Sequence, residues 1–149
     1  MNDHPQEWRR GAFVVSTDRA RLDLDATLAL LHATRWAKTM TRESLARAVE
    51  ESLVFAVYEG TALVGLARVV SDRATYGYLT DVVIAESWRG QGLGRWLIEC
   101  IIDHRDLQTL RRLTLLTREA PWLYEKLGFT AGAGGAAYME IRGPIADRR

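Results

Sequence analysis

One cysteine, three histidines and a net charge of only +1 are spread over 149 residues. Each scarcity removes a class of protein. Cys100 has no second cysteine to pair with, so no internal disulfide holds the chain. His4, His32 and His104 lack the spacing of a ligand set, and no paired cysteines accompany them, so no metal is expected. A charge this close to balance gives no electrostatic reason to bind nucleic acid. No apolar run approaches the ~20 residues of a membrane span. The start, Met1-Asn2-Asp3-His4-Pro5, lacks the charged-then-apolar pattern of a secretion signal. These absences lead to the expectation of a cytoplasmic protein with neither membrane nor nucleic acid as partner. The length fits one domain over residues 1–149, with the polar residues 1–10 expected to be flexible.

What the chain does have is a glycine cluster in a telling place. Arg89-Gly90-Gln91-Gly92-Leu93-Gly94 follows the apolar run Leu79-Thr80-Asp81-Val82-Val83-Ile84 and precedes Arg95-Trp96-Leu97-Ile98-Glu99-Cys100-Ile101-Ile102. A strand that turns through glycines into a helix start leaves backbone N–H groups unpaired, and the helix dipole adds positive charge there. That combination receives phosphate. Two common phosphate loops fit poorly. A P-loop carries Lys-Ser or Lys-Thr after its second glycine, and the dinucleotide fingerprint needs Gly-x-Gly-x-x-Gly opening a parallel unit. Here Gly94 is followed by Arg95-Trp96, and the spacing is Gly90-x-Gly92-x-Gly94. Taken alone, the cluster can also be read as a structural strand-to-helix turn.

The surrounding pattern predicts a first strand over 12–16, a helix ending near His32, and a second helix opened by Thr41 as its cap. Residues 53–58 and 62–70 form two strands around the Glu59-Gly60-Thr61 turn, and 76–84 a third. The helix after the glycine loop carries Leu93, Trp96, Leu97, Cys100 and Ile101 on one face. Residues 113–117 form a strand, and 121–126 a short helix that Pro121 suits at its first turn. A last strand is expected over 138–141, reached through the small residues 131–137. This order implies an α+β protein with a mixed, largely antiparallel sheet and helices on both faces.

Arg89-x-x-Gly92-x-Gly94 after a strand resembles motif A of the GNAT superfamily, the acyl-CoA-dependent N-acetyltransferases. Leu123-Tyr124-Glu125-Lys126-Leu127-Gly128-Phe129 resembles motif B of the same family, at a typical separation. The resemblance spans roughly residues 11–142. It implies the GNAT fold, in which the strands flanking the cofactor splay apart. It also implies acetyl-CoA as cosubstrate, with pyrophosphate on the loop Arg89, Gly90, Gln91, Gly92, Leu93, Gly94 and Arg95. Backbone of Val82, Val83 and Ile84 would meet the pantetheine, and an N–H near Val83 would polarise the thioester carbonyl. Thr117 stands where family members often carry asparagine, so one pantetheine contact is weakened.

Acetyl transfer needs a neutral amine, donors for the oxyanion and a proton for the departing thiolate. Tyr124 is the implied thiolate donor, since a phenol stays protonated at neutral pH. Asp81 is the nearest carboxylate that could accept the amine proton, with ordered water as the alternative. On a regular strand it shares a face with Val83 unless a bulge intervenes. Trp36, Tyr76, Tyr78 and Trp88 are aromatics that could line an acceptor pocket, though each reads equally as packing. Cys100 sits on the apolar stripe and reads as core. Little chain remains after Phe129 for a full last hairpin, which leaves the acceptor side open. The acceptor is expected to be a small-molecule amine. The alternatives are a protein N-terminus or lysine, a non-catalytic acyl-CoA-binding regulator, and an unrelated nucleotide-binding domain. A homodimer is plausible for the family.

Overall fold

The computed structural model describes residues 4–132 and 134–148. Met1, Asn2 and Asp3 of the segment expected to be flexible lie outside the described residues, as does Ala133 of the small-residue stretch. The chain forms two compact units, one ending at Leu116 and the other beginning at Thr117.

The first unit holds a six-stranded sheet in the order β1(Glu7–Arg10), β2(Phe13–Ser16), β3(Leu53–Glu59), β4(Ala62–Ser71), β5(Tyr76–Ile84), β6(Arg112–Leu115). Every neighbouring pair is antiparallel except β5 and β6, which are parallel. That is the expected mixed, largely antiparallel α+β architecture. Hairpins explain the antiparallel part. Glu59 pairs with Ala62 across Gly60-Thr61, with Gly60 at φ 59°, where a tight turn favours glycine.

One helical layer is α1(Leu24–His32) and α2(Arg42–Glu50). Asp23 caps α1 by accepting from the Ala26 N–H at 3.0 Å, and Thr41 caps α2 by accepting from the Ser44 N–H at 3.1 Å. Leu31 and Leu45 from these helices pack with Val54, Ala56, Tyr58, Leu66 and Val83 of the sheet. Burying two leucines this fully contributes about 1.5–3 kcal/mol each. The other layer is α3(Leu93–Asp103), which packs against β3, β4 and β5 through Leu93, Trp96, Leu97, Ile98, Cys100 and Ile101. Cys100 is buried there and its thiol is pushed up to about 12, first by desolvation and then by Asp103 and Glu99. It is a core residue. No described helix is long and apolar enough to cross a membrane.

The second unit holds the short helix α4(Pro121–Glu125). Pro121 stands in its first turn.

Two expectations fail, at opposite ends of the chain. Residues 7–10, placed in the flexible segment, form β1 and pair with β2 in full register. The pattern hid this strand because Glu7, Arg9 and Arg10 are polar and an edge strand gains its order from the ladder. Conversely, residues 138–141 join no sheet. Tyr138, Met139 and Ile141 are all exposed, so both faces of the alternation are bare. Without a ladder, the segment is held locally by Tyr138 Oη donating to Glu140 at 3.1 Å and Arg142 donating to Glu140 at 2.6 Å.

Candidate active site

The site begins where β5 stops being regular. In its first half, β5 pairs with β6 from Tyr76↔Arg112 to Leu79↔Leu115. Beyond Leu79 there is no β6 partner among the described residues, so the β6-side edge of Thr80–Ile84 is unpaired. This is the expected splay. On the β4 side the register slips. Leu66 opposes Val83 and Arg68 opposes Thr80, which leaves Ala67 facing both Asp81 and Val82. This bulge is local to Asp81, which adopts φ 56°, a conformation few non-glycine residues take. The strict alternation that would orient Asp81 from its neighbours therefore does not apply.

Asp81 is buried, and its carboxylate is fully engaged. Arg68 donates to Oδ2 from Nε at 3.1 Å and approaches with Nη2 at 3.1 Å. Trp36 donates its indole N–H to Oδ1 at 3.0 Å. The side chains of Arg68 and Asp81 are only 15% and 4% exposed, so water screens this pair little. Arg68 also donates to Ser52 Oγ at 3.4 Å. Trp36 itself is exposed, presented by the loop between α1 and α2. Two residues singled out in the sequence for different roles, Trp36 and Asp81, thus meet.

The other aromatics spread along the strand. Tyr78 is half-buried in the first, regularly paired half of β5. Tyr76 stands at the strand's start with its hydroxyl 2.5 Å from Thr114 Oγ1. At 3.4 Å per residue it lies ~27 Å along the strand from Ile84. Trp88 turns to Phe13 edge-on, with ring centroids 5.8 Å apart.

At the far end of β5 the chain passes through one helical turn, Glu86–Trp88, into the glycine loop. Arg89 donates from Nε to the Ile84 carbonyl at 2.9 Å, which ties the loop to the strand end. Its guanidinium thus braces the loop. The Gln91 side chain donates to the Trp88 carbonyl at 3.2 Å. Gly90 and Gly92 take φ 83° and 79°, which a side chain would strain. Gly92 is the N-cap of α3, and no side chain caps it. The first intrahelical bond is Trp96 N–H to the Gly92 carbonyl, so the amides of Leu93, Gly94 and Arg95 open outward. A side chain at Gly94 would lie 3.8 Å from Ile84 Cγ1, against the last residue of β5. Arg95 is paired with Glu99 at 3.0 Å. The candidate cofactor residues Val82, Val83, Ile84 and Arg89 to Arg95 are therefore contiguous in space. Val83 doubles as core.

In the second unit, Thr117 Oγ1 accepts from the Ala120 N–H at 3.2 Å, just before α4. Tyr124 lies on α4, buried, with Phe129 edge-on at 5.7 Å. Desolvation raises its hydroxyl above the ordinary value of 10. No carboxylate or histidine cluster fit for a metal exists among the described residues.

Sequence reasoning passed over two residues. Arg68 lies on β4, and nothing in its spacing links it to Asp81. Arg10 lies in the segment expected to be flexible, yet its guanidinium reaches Gly92, with Nη1 donating to the carbonyl at 3.5 Å. The polar strand Glu7-Trp8-Arg9-Arg10 and the glycine after it were the only available signal.

Known proteins share this arrangement of a partly unpaired strand beside a glycine-capped helix. A family model described as an acetyltransferase (GNAT) domain matches residues 50–131. A protein of Gibberella zeae named as an acetyltransferase is 34% identical over 96% of this chain and 96% of its own. A solved structure of a GNAT-family acetyltransferase from Xanthomonas campestris pv. campestris is 38% identical, covering 89% of this chain and 94% of that one with a TM-score of 0.83. A GNAT-family acetyltransferase from Elizabethkingia anophelis with acetyl-CoA bound shares the fold, with a TM-score of 0.65 at 15% identity over 83% of this chain and 80% of that one. The chain belongs to the GNAT family of acetyltransferases.

Proposed function

We propose that this protein transfers the acetyl group of acetyl-CoA directly to a primary amine of a small molecule, with residues 1–149 acting as one catalytic domain. The observation that carries the reading is the continuity of the unpaired β5 edge with the uncapped amides of α3, within a chain of the GNAT family. The amides of the loop suit a pyrophosphate. The free edge of Thr80–Ile84 suits an extended pantetheine, and an N–H at the bulge suits the thioester oxygen.

In the proposed step the amine nitrogen attacks the thioester carbonyl carbon. The carbon–sulfur bond breaks, and the sulfur leaves with the bonding pair. Tyr124 gives the thiolate its proton, a role assigned by the motif and favoured by burial, which keeps the phenol protonated. Thr117 is assigned one pantetheine hydrogen bond on the family resemblance alone. Asp81 is the nearest carboxylate that could serve as base. Both of its oxygens already accept strong donors, so we assign it to holding Trp36 over the acceptor side and assign the amine proton to water. Trp36 and Tyr78 are the proposed acceptor walls. Tyr76 is the outlying member of that set.

Acetyl-CoA hydrolysis and transfer, followed by release of free thiol across a panel of amines and peptides, tests this reading. Thiol release that depends on a small amine supports it. Release only with peptides moves the acceptor to proteins. Thermal stabilisation by acetyl-CoA without transfer to any acceptor leaves a binding module.

A further inference from the structure

The N-terminal hairpin places a cation at the glycine loop. β1 and β2 are joined by Gly11-Ala12, with Arg10 opposite Phe13 and Gly11 at φ 59° in the first turn position, where a two-residue hairpin favours glycine. Both residues at this hairpin end touch the loop region. Phe13 sits edge-on to Trp88, immediately before the loop. Arg10 lies against the first turn of α3, with Nη1 3.5 Å from the Gly92 carbonyl and its guanidinium carbon 5.9 Å from the centre of the Trp96 ring. A side chain at Gly92 would meet the Arg10 guanidinium at 3.6 Å. The hairpin thus fixes where Arg10 can reach.

The other arginines nearby are engaged. Arg89 braces the loop against Ile84, Arg95 is paired with Glu99, and Arg9 is paired with Glu7. Arg10 has no carboxylate partner among the described residues. Its position is electrostatically odd on its own terms. A helix N-terminus carries partial positive charge, and a cation is ordinarily favourable at the other end. Arg10 contacts the Gly92 carbonyl, one residue before the outward amides of Leu93, Gly94 and Arg95, so its charge and the partial charge of the helix start are neighbours that disfavour each other and jointly favour an anion beside them. A guanidinium also offers the fork geometry that matches phosphate oxygens.

We propose that Arg10, delivered by the β1–β2 hairpin, is a phosphate-binding residue for the cosubstrate, acting with the uncapped amides of α3. The proposal rests on the acetyl-CoA reading above. It names the phosphate chemistry, which the pyrophosphate and the 3′-phosphate of CoA share.

Calorimetric titration of the full chain and of Arg10→Gln with acetyl-CoA, acetyl-3′-dephospho-CoA and acetyl-pantetheine tests it. Acetyl-CoA affinity is expected to fall about tenfold in Arg10→Gln, the scale of one lost charge-assisted bond. Arg9→Gln, on the same strand, is expected to match wild type. A loss that persists with the dephospho compound assigns the pyrophosphate, and a loss that disappears with it assigns the 3′-phosphate; both support the proposal. Equal affinities of wild type and Arg10→Gln for acetyl-CoA overturn it while leaving the acetyl-CoA reading intact. An equal loss with acetyl-pantetheine, which has no phosphate diester, also overturns it in favour of a packing effect. Arg10→Lys, which keeps charge without the fork, is expected to lose less than Arg10→Gln, and the exposed position of Arg10 leaves the fold intact in either variant. If wild type itself shows no heat with acetyl-CoA, the acetyl-CoA reading falls and this proposal with it.

Discussion

The two halves of β5 share one backbone and have opposite characters. From Gly77 to Leu79 the strand lies between β4 and β6 with regular pairing on both sides. From Thr80 to Ile84 it has β4 alone, a bulge at Asp81 and a free edge. The first half satisfies its backbone groups inside the sheet. The second leaves them to be satisfied by something else, which is what a ligand site requires. The bulge is costly, and the buried Arg68–Asp81 pair with its Trp36 donor is what over-determines it.

Breaking that pair should give the largest effect. Arg68→Ala strands a buried carboxylate, and urea denaturation is expected to show a loss of about 3–5 kcal/mol. Arg73→Ala, near the start of β5, leaves behind Asp106, whose side chain is 27% exposed against 4% for Asp81, so water compensates more of the lost partner and the cost should be smaller, about 1–2 kcal/mol. Equal losses would erase the contrast between the halves. Next comes chemistry separated from binding. Tyr124→Phe should lower kcat about a hundredfold while acetyl-CoA still raises the melting temperature. With burial holding the phenol above 10, wild-type kcat should not decline for this group until the pH passes that value, where the proton is lost. Tyr124→Phe removes that alkaline limb.

Two glycines compare the halves directly. A methyl at Gly65 would lie 2.6 Å from Ile84 Cδ1 and 3.2 Å from the Val83 carbonyl, in the irregular half. One at Gly77 would lie 3.0 Å from Leu110 and Leu113, in the regular half. Each alanine variant should cost about 1–3 kcal/mol. Only Gly65→Ala should also weaken acetyl-CoA binding, because it displaces the strand end that meets Gly94. Comparable binding in both variants would show that the two halves move together. The smallest effect on turnover is expected from Asp81→Asn, which keeps the shape and an acceptor for Trp36, although it leaves the buried Arg68 without its counter-charge and costs stability as Arg68→Ala does. Its acetyl transfer should fall less than about tenfold with an unchanged acidic limb in the pH–rate profile. Disappearance of that limb would restore Asp81 as the base.

The glycine loop was legible because its requirement is local. Positive φ at Gly90 and Gly92 and an uncapped helix start are properties of a few consecutive residues. The cap Thr41 and the turn at Gly60 are local in the same way, and so is the apolar stripe of α3. Residues 138–141 carry a strand-like alternation yet stay outside the sheet, whereas Glu7–Arg10 carries none and joins it. Strand formation is a pairing event, and the partner is not written in the strand.

The sequence by itself determined the family, the succession of strands over 53–84 and the turn through Gly90 and Gly92 into α3, because hydrophobic periodicity and glycine conformations act over short spans. Tertiary structure alone decided that Asp81 is clamped between Arg68 and Trp36, and that Arg10 lies at the loop 82 residues away along the chain. Those contacts join distant segments whose meeting depends on sheet register and one bulge, and the side chains involved have no pattern until the backbone has placed them.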